Sequence, residues 1–336
     1  MERNAFYALD DVVLELHSDA PAPEDLGHLL QELSWTTIRS SSCKPTLYLS
    51  VRPSNSRFRI PRIHREVLRT DDFLGFEVDH DFFLTDGSSV FHLRPAKGEA
   101  YARIAPSFFY KRSMAQANFW CFGLLKLLRP LGIYSLHAAG LATKDGEGLL
   151  LIGPSGSGKS TLALGLLRSG WSYLSDDAVL LRSESQGIKA LGFRKSFYIE
   201  ARASADYGDL ALGEEEPDSN GGRRRRAGID TVYGGQFVPG CFPRVMIFPR
   251  IEHQERSTLL SIDSVSALRI LLAQSAPQLF DRRTMPGHLA LLRKLLQQTE
   301  SYQLNAGTDL YHAPIRLIDL VQQARAERNC LALSLS

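Results

Sequence analysis

Nine consecutive residues, Gly153, Pro154, Ser155, Gly156, Ser157, Gly158, Lys159, Ser160 and Thr161, fill every fixed position of the pattern G-x-x-x-x-G-K-[ST]. Glycines let a backbone curl until successive N–H groups face one anion, and a helix N-terminus adds positive potential. In such a loop Lys159 would reach the β- and γ-phosphates of a triphosphate, and the Ser160 hydroxyl would hold Mg²⁺. The flanks suit the motif. Leu149-Leu150-Leu151-Ile152 reads as a strand before it, and Leu162 to Leu167 as a helix after it.

A nucleotide loop by itself implies only that a triphosphate binds. Phosphoryl transfer also needs metal ligands and a group that orients or deprotonates the acceptor. Asp176 and Asp177 end the first strand after the loop's helix, Trp171 to Leu174. In an open α/β sheet that strand end and the loop share an edge. Neighbours on extended chain point opposite ways, so one aspartate can face the metal and the other the acceptor hydroxyl. His137 begins no motif of its own. Tyr134 to Thr143 reads as a strand, however, turning at Asp145-Gly146 into Gly148 to Ile152, which places residue 137 near residue 154. His137 could there bond the basic aspartate or touch the γ-phosphate. Arg194 and Lys195 are candidates for neutralising the transferring group, and Glu200 for a metal or structural role.

The elements around these residues suggest two regions. Residues 1–128 read as a mixed, strand-rich α/β region, with strands at Val12 to Leu16, Thr46 to Ser50 and Phe82 to Thr85 and a helix from Phe119 to Leu128. Residues 129–336 read as the ATP-binding catalytic domain. Within it Arg244 to Phe248 is a strand, and helices are expected at Val265 to Gln274, Pro286 to Gln298 and Pro314 to Glu327. Residues 213–227 run from Glu214-Glu215-Glu216 through glycines to Arg223-Arg224-Arg225-Arg226. They read as a mobile loop, either a solvated insertion or a flap over a phosphate or acidic partner.

Composition excludes some classes. The 336 residues are 44% hydrophobic and 23% charged with net charge +2, ordinary for a globular chain and too balanced to argue for nucleic acid or a membrane surface. No apolar run reaches membrane-spanning length. The four scattered cysteines, Cys43, Cys121, Cys241 and Cys330, show no metal spacing and fit free thiols in a reducing compartment. A cytoplasmic location is expected, and the acidic residues after the N-terminus argue against a secretory signal.

Four segments together resemble the catalytic core of the HPr kinase/phosphorylase family: Ser135-Leu136-His137-Ala138-Ala139-Gly140, the phosphate loop, Arg168-Ser169-Gly170-Trp171, and Leu174-Ser175-Asp176-Asp177. The short distance from Lys159 to the acid pair resembles that family too, since most phosphate-loop proteins place the metal-binding acid much later. The resemblance implies a phosphoenolpyruvate-carboxykinase-like nucleotide fold, ATP with Mg²⁺, and a serine acceptor. It implies Asp176 as base, Asp177 and Ser160 on the metal side, Lys159 on the phosphates, and His137 near the reacting phosphate. It also hints at a homo-oligomer. The whole chain is most similar to HPr-kinase-related proteins of peptide modification, among them kinases of the C-terminal serine of lasso-peptide precursors. A serine kinase acting on a peptide or protein is thus expected. An HPr-directed kinase, a nucleotide-dependent switch that only hydrolyses ATP, and a small-molecule kinase stay open, because one fold hosts several chemistries.

Overall fold

The computed structural model describes residues 3–19, 23–39, 44–56, 58–62, 64–193, 196–201, 208, 210–217, 222–228, 234–252, 254–275 and 282–334. They form a mixed α/β protein of two compact units, one comprising 1–134 with 277–288 and the other 135–276 with 289–336.

The first unit carries a nine-stranded sheet. Its strands are β1 (Arg3–Leu9), β2 (Val12–Ser18), β3 (Thr36–Ile38), β4 (Leu47–Pro53), β5 (Arg65–Arg69), β6 (Leu74–Val78), β7 (Asp81–Thr85), β8 (Val90–Arg94) and β9 (Glu99–Ile104), ordered 3-1-2-4-9-8-7-6-5. Asp86 caps the turn between β7 and β8 by accepting from the Ser88 and Ser89 amides, at 2.9 and 2.6 Å. Two helices, α1 (Pro23–Glu32) and α2 (Ser113–Leu128), belong to this unit. Helix α2 packs on β8 so closely that a Cβ at Gly123 would lie 1.9 Å from the Phe91 ring. Phe91, Phe108, Phe119 and Trp120 interlock there with ring centroids 4.9 to 6.4 Å apart.

Strands β10 (Ile133–Leu136), β11 (Ala138–Ala142), β12 (Glu147–Ile152), β13 (Ser172–Ser175), β14 (Val179–Glu184) and β15 (Gly187–Gly192) open the second sheet. A separate three-stranded sheet follows: β16 (Phe197–Glu200), β17 (Ala211–Pro217) and β18 (Arg223–Gly228), with β18 in the centre. The main sheet is completed by β19 (Gly240–Ile251), β20 (Thr258–Ser261) and β21 (Glu300–Ala306). Its order is 10-14-15-19-12-11-13, and β21 pairs with both β19 and β20. The helices are α3 (Lys159–Arg168), α4 (Ser264–Ala273), α5 (Met285–Gln298), α6 (Thr308–His312) and α7 (Arg316–Ser334). Among the described residues no helix is long and apolar enough to cross a membrane.

Strand direction explains where this unit can hold a ligand. β12 runs parallel to β19, and β19 parallel to β21. β11 is antiparallel to both β12 and β13, so β13 also shares the common direction. The C-termini of β12, β13, β19 and β21 therefore meet at one edge, where chain ends in α/β sheets leave a crevice. Beneath it Leu162, Leu164, Leu166 and Leu167 of α3 are buried against the sheet, each contributing about 1.5–3 kcal/mol relative to exposure.

Two expectations from the sequence change. The strand read from Tyr134 to Thr143 is broken at His137, whose N–H leaves the sheet and donates to the Gln274 carbonyl at 2.7 Å. Of residues 213–227, those that the structure describes lie largely in strands: β17 and β18 pair antiparallel, with Glu215 opposite Arg225 and Glu216 opposite Arg224, while residues 218–221 lie outside the described residues. The charge blocks that looked like solvated chain are complementary across strands, which stabilises the pairing.

Candidate functional site

The glycine loop leaves the C-terminus of β12 and enters α3. Gly156 and Gly158 take φ values of +82° and +93°, a region other side chains rarely adopt, so the loop's curl depends on glycine at these places. Gly158 caps α3 and Lys159 is its first residue. The Lys159 ammonium is buried and donates to the carbonyls of Gly153 and Pro154 at 2.8 and 3.0 Å. Burial holds it below the ordinary lysine range. The charge of Arg224 acts in the same direction, and Asp177 and Asp176 oppose it. The Ser157 hydroxyl is buried in the loop and meets no hydrogen-bond partner among the described residues.

The two aspartates part company at the end of β13. Asp176 is 2% exposed, and both its oxygens accept from the Ser160 hydroxyl, at 3.1 and 3.0 Å. Burial, then the neighbouring Asp177 charge, push its carboxyl up to about 7; Lys159, the Ser160 bond and His137 pull the other way. Asp177 stands in the left-handed region at φ 65°, an uncommon state for a non-glycine residue. Its side chain remains 40% exposed and accepts from His137 Nε2 at 2.7 Å. The divergence expected of adjacent residues is present, but it comes from this backbone twist and not from an extended strand.

His137 is fixed from its other side as well. Helix α4, capped by Asp263 through the Val265 and Ser266 amides, ends at Gln274. The Gln274 side-chain oxygen faces His137 Nδ1 at 2.9 Å. The hairpin register pairs Ala138 with Ile152, so His137 lies level with the first residue of the loop.

A cavity of about 390 Å³ opens along this edge. Ser155, Gly156, Gly158, Lys159, Ser160, Thr161 and Asp177 form its polar side, and Tyr198, Ile251, Leu310 and Tyr311 its apolar side. Glu200 of β16 and Arg224 of β18 also line it, and Arg224 donates to the Ser155 hydroxyl at 2.7 Å. Arg194 and Lys195 lie outside the described residues. Gln274 escapes sequence reasoning because nothing marks one glutamine among many. Arg224 lies in the arginine run read as a solvated insertion or a flap over a phosphate, but which of the four reaches the cavity depends on the pairing of β18.

The Ser160 hydroxyl and the Asp176 carboxylate are hard oxygen donors that could share a divalent cation. A serine hydroxyl and one carboxylate are the protein's usual share around Mg²⁺, which keeps waters and takes phosphate oxygens. No cluster of three or more His, Cys, Asp or Glu suited to a metal occurs among the described residues, so a cage built wholly from such side chains is not part of the described site.

No family model matches the chain. A stretch of 93 residues is 30% identical to an HPr kinase/phosphorylase of Chlorobium chlorochromatii (strain CaD3), covering 25% of this chain and 28% of that protein. The chain thus carries an HPr-kinase-like segment that spans under a third of this relative's length. Among solved structures, the HPr(Ser) kinase/phosphatase of Coxiella burnetii aligns with a TM-score of 0.29 at 13% identity, over 58% of this chain and 98% of that one.

Proposed function

We propose that this protein is an ATP- and Mg²⁺-dependent kinase that transfers the γ-phosphoryl group to a serine hydroxyl on a peptide or protein. One observation supports the reading most: the aspartate pair is divided between two partners, Asp176 with Ser160 and Asp177 with His137, at the mouth of a glycine loop. The HPr-kinase-like segment supports a phosphotransferase of this kind. On this reading the second unit is a phosphate-loop nucleotide domain of the phosphoenolpyruvate-carboxykinase-like type.

The hydrogen bonds favour exchanging the two roles that family resemblance implies. Ser160 and Asp176 would hold Mg²⁺, which when bound offsets charge on the β- and γ-phosphates. The loop amides and Lys159 would bind the triphosphate. Asp177 lines the cavity and is the accessible carboxylate, so it would accept the acceptor's proton, while His137, braced by Gln274, keeps it in place. As the serine oxygen bonds the γ-phosphorus, the bond to the β–γ bridging oxygen breaks. ADP leaves with that electron pair, and the hydroxyl proton passes to Asp177.

The acceptor is tested by intact mass. The protein, MgATP and either an HPr protein or a precursor peptide ending in serine are incubated together. A gain of one phosphoryl group on either acceptor is expected and identifies it. Phosphate released to water with neither acceptor modified would contradict the kinase reading and favour a nucleotide-dependent switch.

A further inference from the structure

The arginine run has two faces because strand residues alternate. Arg223 pairs with Glu215 through Nε, and Arg225 approaches the same carboxylate at 3.7 Å. On the other face Arg226 donates to the Ser196 hydroxyl at 3.0 Å, and Arg224 donates to Ser155 of the glycine loop. Of the four, Arg224 alone lines the cavity that also holds Lys159, Ser160 and Asp177. Ser155 is the third residue of the loop motif, so this guanidinium reaches the loop from a separate sheet, more than sixty positions away in sequence. Two cations, Lys159 and Arg224, line one small cavity and repel one another; burial is the main reason the Lys159 ammonium lies low, and the Arg224 charge adds to it. A polyanion seated between them would relieve that repulsion.

We propose that Arg224 is a catalytic cation supplied in cis, contacting the phosphoryl group during transfer; this deepens the kinase reading above and rests on it. The planar guanidinium fork can bind two phosphate oxygens at once, and charge on those oxygens is what the transition state must accommodate. Arg224 keeps its protons throughout. Bond formation to the acceptor oxygen, bond cleavage at the bridging oxygen and proton delivery to Asp177 proceed as described. The register supports the placement, since Glu200 and Glu216 on the two flanking strands stand opposite Arg224 and favour a positive charge there.

The test compares wild type, Arg224→Ala, Arg224→Lys and Arg223→Ala. MgATP turnover and the affinities for MgADP alone and for MgADP with aluminium fluoride are measured, after matching thermal melts show that each variant folds. Arg224→Ala should slow turnover about 10³-fold and weaken the aluminium fluoride complex to a similar degree. Its MgADP affinity should change less than about threefold, because the interaction belongs to the transferring group. Arg224→Lys should recover less than about a tenth of the rate, since a point charge lacks the fork. Arg223→Ala, on the other face, should behave as wild type. Wild-type turnover in Arg224→Ala, or equal loss of both affinities, overturns the role of Arg224 while leaving the kinase reading intact. Wild type that binds no MgATP overturns the kinase reading and this inference with it.

Discussion

The two units place their polar groups differently. In the first, charged side chains pair with near neighbours on the sheet or its helix: Arg94 with Glu99 directly opposite, His92 with Asp81, Lys126 with Glu77. These contacts stay among groups of the sheet and its helix, and the interior is an aromatic cluster under α2. In the second, Lys159, Ser160, Asp176, Asp177 and His137 come from three separate segments and converge on the one edge where parallel strands end. Convergence from distant parts of the chain, and not abundance of charge, distinguishes the candidate site. Histidines show the same contrast. His288 is 1% exposed and stacked on Tyr134 at 4.5 Å, a packing residue, whereas His137 is held between two polar partners beside the cavity.

The contrast can be broken by substitutions on either side. The largest effect belongs to Lys159→Met, which keeps the stem and removes the ammonium; MgATP turnover should fall about 10²–10³-fold with the far-ultraviolet spectrum unchanged. Turnover within a few-fold of wild type would remove the glycine loop from the mechanism. Next comes Gly123→Ala in α2. The added methyl meets the buried Phe91 ring, so overpacking should cost about 1–3 kcal/mol in urea unfolding while MgATP affinity at low temperature stays the same. Lost nucleotide affinity in a still-folded variant would show that the first unit supports the site.

A pH experiment sharpens the histidine comparison. Burial, then the charge of Arg129, depress the His288 imidazole to about 3 from its ordinary 6.5. The folded chain then carries fewer protons at this residue than the unfolded chain. Its contribution is complete above about pH 6.5 and falls by about 1.4 kcal/mol per pH unit as pH drops toward 3. His288→Phe, which keeps a ring against Tyr134, should flatten that slope; an unchanged slope would contradict the assignment. The smallest effect is expected for Gln274→Ala. Losing one hydrogen bond to His137 should slow turnover about three- to tenfold, and no change in rate would leave His137 positioned without it.

Much of the second unit was legible in sequence because its signals are local. The loop's glycines, the apolar strand before it and the leucines of α3 all lie within twenty residues, and the strand ending at Asp176 follows directly. What escaped depends on long-range pairing. The break at His137 is made by a hydrogen bond to residue 274, which no local pattern encodes. The pairing of β17 with β18 was hidden because opposed charges face one another across it in place of alternating apolar residues. That the two aspartates point apart was legible, but the division of partners between them was not, since the positive φ of Asp177 turns its carboxylate to His137 while Asp176 stays buried against Ser160.

That division is the central claim, and a paired measurement of Asp176→Asn and Asp177→Asn tests it most directly. Each variant is assayed for Mg²⁺-dependent ATP binding by calorimetry and for single-turnover phosphoryl transfer. Asp177→Asn is expected to bind MgATP as wild type does and to transfer about 10²–10⁴-fold more slowly, as loss of a general base requires. Asp176→Asn is expected to lose the part of ATP affinity that Mg²⁺ confers. Wild-type transfer by Asp177→Asn, with the full loss of rate in an Asp176→Asn variant that still binds MgATP, would contradict the account and return the two aspartates to the opposite roles.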